Sequence, residues 1–190
     1  MGMIERLRDV LGGRTPATVD DAEAQRAAVA IIVTADTQSA ILFVKRKERP
    51  GDPWSGQMAF PGGYAAPEDR SPEATAERET LEETGLDLAA TGERLGALDD
   101  LHPLSVYLPR IVVTPCVFAL PAPLGVRAGS EVDAAVWLLV ADVFAPEKRR
   151  PFELRLPAGT RTFDSIVVGG YTIWGLTERV LGQLWEIVRP

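Results

Sequence analysis

Three glutamates carry the most legible chemistry in this chain. Glu79, Glu82 and Glu83 stand in the stretch ERETLEETGL, with Arg78 directly before the first of them. At about 100° per residue they fall within roughly a third of a helix circumference, so their carboxylates crowd one face. Carboxylates so placed repel one another by roughly a few tenths of a kcal/mol per pair even in water. A hard divalent cation with oxygen ligands, Mg2+ or Mn2+, is the natural partner for such a cluster. Arg78 beside it is placed to fix one carboxylate by a charge-assisted pair. A solvated, glutamate-rich surface helix has the same composition, and the glutamates alone leave both readings open.

The element that must carry them is well marked. Ser71 followed by Pro72 is a helix start, because a serine hydroxyl caps free backbone N–H groups and a first-turn proline has none to leave unpaired. Gly85 is a stop signal. The spacing predicts a helix over 72–84 with Ala74 and Leu81 on the side away from the acids. Before it, Phe60-Pro61-Gly62-Gly63 ends a short apolar run. Paired glycines there allow backbone to approach a ligand closely, or a carbonyl to face a metal.

Arg78-Glu79, Glu82-Glu83, Gly85 and Leu86 resemble, in register, the Nudix box of the Nudix hydrolases, G-x5-E-x7-R-E-U-x-E-E-x-G-U with U aliphatic. Thr80 departs from the pattern at an aliphatic position. Arg70 and Tyr64 fall where the first acid and the glycine belong, and a loop one residue longer, with Asp69 as the acid and Gly63 as the glycine, restores both. That longer loop is similar to the coenzyme A diphosphatase branch. The branch's upstream signature, L-L-T-x-R-S-x3-R-x3-G-x3-F-P-G-G, is matched by Leu42, Arg46, Gly56 and Phe60 through Gly63, with one extra residue between and Asp52 in place of the second arginine. The run YTIWGLT, 171–177, is similar to the C-terminal helix of that branch.

The resemblance implies an α/β/α sandwich with a central mixed β-sheet. It also implies metal-dependent hydrolysis of a nucleoside diphosphate linked to another moiety, first of all coenzyme A, giving 3′,5′-ADP and 4′-phosphopantetheine. ADP-ribose, a nucleotide sugar or another house-cleaning diphosphate is the second expectation, and a non-catalytic nucleotide-binding module is the reading from another class. Carried onto this chain, it gives Glu79, Glu82 and Glu83 as ligands of Mg2+ or Mn2+ with the Gly63 carbonyl beside them, and Arg78 as their orienting cation. Glu82 and Glu131 remain the two candidates for general base. Gly62 and Gly63 border the substrate.

Other residues bear on substrate and partners. Lys45, Arg46, Lys47 and Arg49 follow an apolar strand; they suit either a solvated strand end or a grip on an anion, with Arg46 foremost. Trp54 either stacks on an adenine or wedges a loop. Lys148-Arg149-Arg150 has the same ambiguity as the first basic run. The only histidine, His102, excludes a multi-histidine metal site and reads as a surface loop residue.

The 190 residues suit one domain, a Nudix unit over 27–190 preceded by a helix and loop in 1–26. Twenty Lys plus Arg against 27 Asp plus Glu leave a net charge of −7, which removes any general attraction for nucleic acid. The single cysteine, Cys116, lies in an apolar run and reads as a buried thiol of a cytoplasmic protein. No run approaches the ~20 apolar residues of a membrane span. Strands are expected over 27–34, 41–44 and 111–120, the last with an edge or bulge at Pro115, and again over 151–156 and 162–168. Ile173, Leu176, Val180, Leu184 and Ile187 suggest a closing helix. Ile4, Leu7, Val10 and Leu11 suggest an opening one that packs on the domain or on a second copy in a homodimer.

Overall fold

The computed structural model describes residues 2–50, 54–104, 108–156 and 159–189. The chain opens with α1 (Met3–Gly12), then β1 (Gln25–Thr34) and β2 (Ala40–Arg46). Short β3 (Met58–Ala59) and β4 (Gly62–Tyr64) lead into α2 (Pro72–Thr84) and a single turn, α3 (Leu88–Thr91). After β5 (Glu93–Ala97), β6 (Ile111–Leu120) and β7 (Val132–Leu139) come the short α4 (Val140–Val143), β8 (Arg149–Leu156), β9 (Gly159–Val168), β10 (Tyr171–Trp174) and α5 (Leu176–Val188).

The apolar runs build a mixed seven-stranded sheet. β1 lies antiparallel to β2 and β4 and parallel to β6 over its full length, from Gln25 opposite Ile111 to Thr34 opposite Leu120. β5 adds to β6, and β3 and β7 add to β2, all antiparallel. Alternation along β1 divides the core: Ala28, Ala30 and Ile32 face α2, while Ile31 and Val33 face α1 and α5, where Leu7, Val180 and Leu184 are buried. The sheet is therefore the middle layer of an α/β/α sandwich. A second, three-stranded antiparallel sheet, β10-β9-β8, joins the α5 side through Ile166, Val168 and Ile173.

Several expectations need correcting. Pro115 is neither at an edge nor at a bulge of its own strand: β6 is central, and the irregularity is in β5, between Arg94 and Gly96. The proline is tolerated because β5 has ended by that point, and its carbonyl accepts the Leu98 N–H at 2.9 Å. Ile173 belongs to strand β10, not to the closing helix, because the turn at Gly169 and Gly170 (φ +59° and +82°) folds 171–174 back on β9. His102 is not a surface residue but mostly enclosed, its Nε2 3.3 Å from Asp21 Oδ2. The apolar side of α1 (Ile4, Leu7, Leu11) packs on β5 and α5 of the same chain, the first of the two arrangements expected for this helix, and Val10 is left exposed. Cys116, by contrast, is buried as expected, and burial pushes its thiol far up. Among the described residues, no helix is long and apolar enough to cross a membrane.

Candidate active site

Helix α2 forms between the ends its sequence marks. The Ser71 hydroxyl accepts the Ala74 N–H, and Gly85, at φ +71°, closes the helix by donating to the Leu81 carbonyl. Its orientation differs from the simple amphipathic expectation. Leu81 is 48% exposed, and the buried side is Thr75, Ala76, Thr80, Glu83 and Thr84. The side facing the sheet is small and polar because it must bring a carboxylate inward. Thr80 fits its buried position by donating its hydroxyl to the Ala76 carbonyl at 2.6 Å, so a threonine there leaves no unsatisfied polar group.

Arg78 is the hub of the acids. Its Nη1 donates to Glu79 at 2.8 Å and to Glu82 at 3.3 Å, while Nη2 donates to Asp69 and to the Tyr64 carbonyl, both at 3.0 Å. Asp69 also accepts the Ala66 N–H and the Thr75 hydroxyl, each at 2.9 Å. The guanidinium holds the Asp69 carboxyl down at about 2. Asp69 thus ties the preceding loop to the helix, at the place the one-residue-longer loop assigns to its acid.

Glu83 is 3% exposed and accepts the Gly62 N–H at 3.1 Å. Burial pushes its carboxyl up to about 7; the Gly62 N–H opposes this, and the charges of Glu79 and Glu131 add to it. Burial raises Glu79 as well, against the pull of Arg78. The two glycines are required by contact. A Cβ on Gly62 would lie 2.3 Å from the Ala28 carbonyl oxygen, and one on Gly63 would lie 2.5 Å from the Glu79 carboxyl carbon.

The carboxylates open onto a cavity of about 590 Å3. Glu79, Glu83, Glu131, Gly62 and Gly63 form its acidic end; Arg46 and Arg49 line it, and Trp54, Ile111 and Leu176 contribute to its apolar wall. Trp54 packs on Ala27, Ile111 and Val113 and also lines the cavity. Glu131 is delivered by a loop docked on the end of α2. The Arg127 N–H donates to the Thr84 carbonyl at 2.9 Å and the Gly129 N–H to the Glu83 carbonyl at 2.8 Å. Lys47 then pins the loop to β2 through Ser130 and Glu131.

The structure therefore brings Glu79, Glu83, Glu131, Arg46, Trp54, Gly62 and Gly63 to one cavity. It does not bring Glu82 there: that side chain is 58% exposed and turned to Arg78. As they stand, no three acids among the described residues meet closely enough to enclose an ion. Arg78 takes Glu79 and Glu82, and the Gly62 N–H takes Glu83. The donor set still fits Mg2+ or Mn2+, being carboxylate and carbonyl oxygen with no thiol or imidazole, and Gly63 leaves beside Glu79 the space that a Cβ would fill. Asp52 lies outside the described residues. In the second basic run, Arg149 pairs with Glu178 at 2.9 Å and Arg150 binds backbone carbonyls, so these arginines serve the second sheet.

Two features of the site escape the sequence. Arg49, named there only as a member of the basic run, stands 3.5 Å from Glu131, a pairing across 82 positions that no local pattern signals. Gly129 passes so close to α2 that a Cβ would meet the Glu82 carbonyl at 2.3 Å, and only the contact reveals why a glycine stands there.

The comparisons with known proteins agree with this architecture. A NUDIX domain family model matches residues 24–157. An uncharacterized Nudix hydrolase NudL of Yersinia pestis (strain Pestoides F) is 34% identical over 166 residues, 86% of this chain and 80% of that protein. An uncharacterized protein of Schizosaccharomyces pombe, C14C4.10c, is 40% identical over 111 residues, 56% of this chain but only 34% of its own length. A MutT/nudix family protein from Enterococcus faecalis superposes with a TM-score of 0.60 at 15% identity, over 98% of this chain and 69% of the other. The NUDIX domain of Shewanella oneidensis NrtR, solved in complex with ADP ribose, superposes with a TM-score of 0.51 at 21% identity, over 71% of this chain and 84% of the other. At those identities the solved structures speak to fold alone. With the family model spanning most of the chain, and the Arg78-Glu79 and Glu82-Glu83 pairs on the helix that borders the cavity, the chain belongs to the Nudix hydrolase family.

Proposed function

We propose that this Nudix hydrolase splits the diphosphate of coenzyme A or a close derivative, giving 3′,5′-ADP and 4′-phosphopantetheine. One observation carries the reading. Residues of both stretches that resemble the coenzyme A branch, Arg46, Gln57, Phe60 and Gly63 from one and Leu176 and Thr177 from the other, line the same cavity as Glu79 and Glu83. The Thr177 hydroxyl donates to the Met58 carbonyl at 3.0 Å, joining one segment to the other.

In this reading Glu79 and Glu83, with the Gly63 carbonyl and Glu82 from the rim, hold Mg2+ or Mn2+. The bound cation neutralises diphosphate charge and acidifies water. Arg46 and Arg49 bind the diphosphate oxygens, and Arg78 fixes the rotamers of Glu79 and Glu82. Glu131 is the better placed of the two candidate bases, since it lines the cavity and Glu82 does not. It takes a proton from the attacking water as the P–O–P bond breaks. Trp54 and its apolar neighbours hold one arm of the substrate and keep bulk water away.

ADP-ribose or a nucleotide sugar is the second reading, favoured by Asp52, an acid where the coenzyme A signature has an arginine. The test is a panel of coenzyme A, ADP-ribose, dinucleotides and nucleoside triphosphates with Mg2+ or Mn2+. The expected result is coenzyme A turned over fastest. Rapid cleavage of ADP-ribose with coenzyme A untouched would move the substrate to the second reading.

A further inference from the structure

A second cavity, of about 530 Å3, lies across the β2–β3 edge from the first. Its origin is the alternation of β2: Arg46 lines the first cavity, and its neighbour Lys45, projecting to the opposite face, lines the second. The other wall is aromatic. Phe152 of β8 and Trp174 of β10 reach across β9 and stack at 4.4 Å between ring centroids, with the Phe163 ring 5.5 Å from Trp174. They meet because the β9 residue opposite Trp174 is the small, buried Ser165, whose hydroxyl donates to the Arg150 carbonyl at 2.8 Å.

Both rings are half-buried and both border the cavity, so their outer surfaces are open to a further planar group. Lys45 is half-buried too, and among the described residues no carboxylate pairs with it. A half-buried ammonium lacking a protein counter-ion favours an anion, and an aromatic stack favours a flat π-system. Ser55 and Gln57 add polar groups at the rim. Gln57 and Met58 border both cavities, so this second one opens beside the candidate diphosphate site.

We propose that this second cavity binds a phosphorylated purine nucleotide, with its base against the Phe152 and Trp174 rings and its phosphate on the Lys45 ammonium. The nucleotide is either the base end of the substrate, reaching round the β3 edge, or a separate molecule. The first case rests on the coenzyme A reading above, and the second does not.

The probe is 3′,5′-ADP, titrated calorimetrically into the full chain. Lys45→Gln and Trp174→Ala are each expected to weaken its binding about tenfold, and Trp174→Phe, which keeps a stacking ring, to retain it. Lys45→Gln leaves the aromatic packing in place, so it reports even where Trp174→Ala fails to fold. A tenfold rise in KM for coenzyme A at unchanged kcat in Lys45→Gln marks the base end of the substrate. An unchanged KM with 3′,5′-ADP binding lost marks a separate nucleotide. Binding lost in the variants while no coenzyme A is cleaved by the parent chain upholds the cavity and overturns only the substrate reading. No binding by the parent chain, or equal binding by parent, Lys45→Gln and Trp174→Ala, overturns the proposal.

Discussion

Arg78 has five N–H groups and uses them on four partners, Asp69, Glu79, Glu82 and the Tyr64 carbonyl. A lysine has the charge but not the planar fork, so Arg78→Lys should lower kcat by roughly a hundredfold while the protein stays folded, as circular dichroism would report. Gly63→Ala drives a methyl into the Glu79 carboxyl and should reduce Mg2+-supported turnover at least as much. Gly129→Ala is subtler. It lifts the loop from α2 and shifts Glu131, so kcat should fall roughly tenfold with KM nearly unchanged. A wild-type rate in Gly129→Ala alongside a slow Glu131→Gln would show that the glycine does not set the position of Glu131.

At the scale of elements, α2 is where sequence was most and least informative. Ser71, Pro72 and Gly85 act through local backbone geometry, so both helix ends were legible; Ser71→Ala should cost about 1 kcal/mol of unfolding free energy in a urea titration. The direction the helix faces was not legible. Periodicity assigns an apolar residue such as Leu81 to the core, yet the core side here is held by Thr75, Ala76, Thr80 and Thr84 so that Glu83 can enter. That choice is set by packing on β1 and β4, which periodicity within the helix does not report. The strand YTIW escaped for a similar reason: Ile173 and Leu176 keep helical spacing, and only the fold at Gly169 and Gly170 decides otherwise. Glu79, Glu83 and Arg46 were legible as candidates from residue type and spacing together with the resemblance, and Glu131 through the resemblance alone. Gly129 was not, and neither was the pairing of Arg49 with Glu131, since both exist only in contacts between distant segments.

For the molecule as a whole, the buried acids make stability depend on pH, and metal held by them as proposed should shift that dependence. Glu83 is raised to about 7 in the folded chain against an ordinary glutamate near 4.5, so the unfolded state loses its proton first. Its contribution is full below about pH 4.5 and is lost as pH rises through 7, by up to about 3 kcal/mol. Without metal, the thermal midpoint should therefore drop between pH 5 and 8. Saturating Mg2+, which favours the ionised carboxylate, should recover it most at the alkaline end. Asp69 runs the other way: its carboxyl lies near 2 against an ordinary 3.8, so its stabilisation is present above about pH 4 and lost as pH falls through 2. Differential scanning calorimetry across pH 2 to 8, with EDTA and with Mg2+, separates the two. A midpoint insensitive to Mg2+ at pH 8 would count against metal held by these acids.

The most direct test of the whole account is steady-state hydrolysis of coenzyme A by the parent chain and by Glu83→Gln, each with Mg2+ and with excess EDTA, with products identified by mass. The account predicts 3′,5′-ADP and 4′-phosphopantetheine from the parent chain with Mg2+, none with EDTA, and a rate lower by at least roughly a hundredfold in Glu83→Gln. Turnover that survives both EDTA and Glu83→Gln would contradict it.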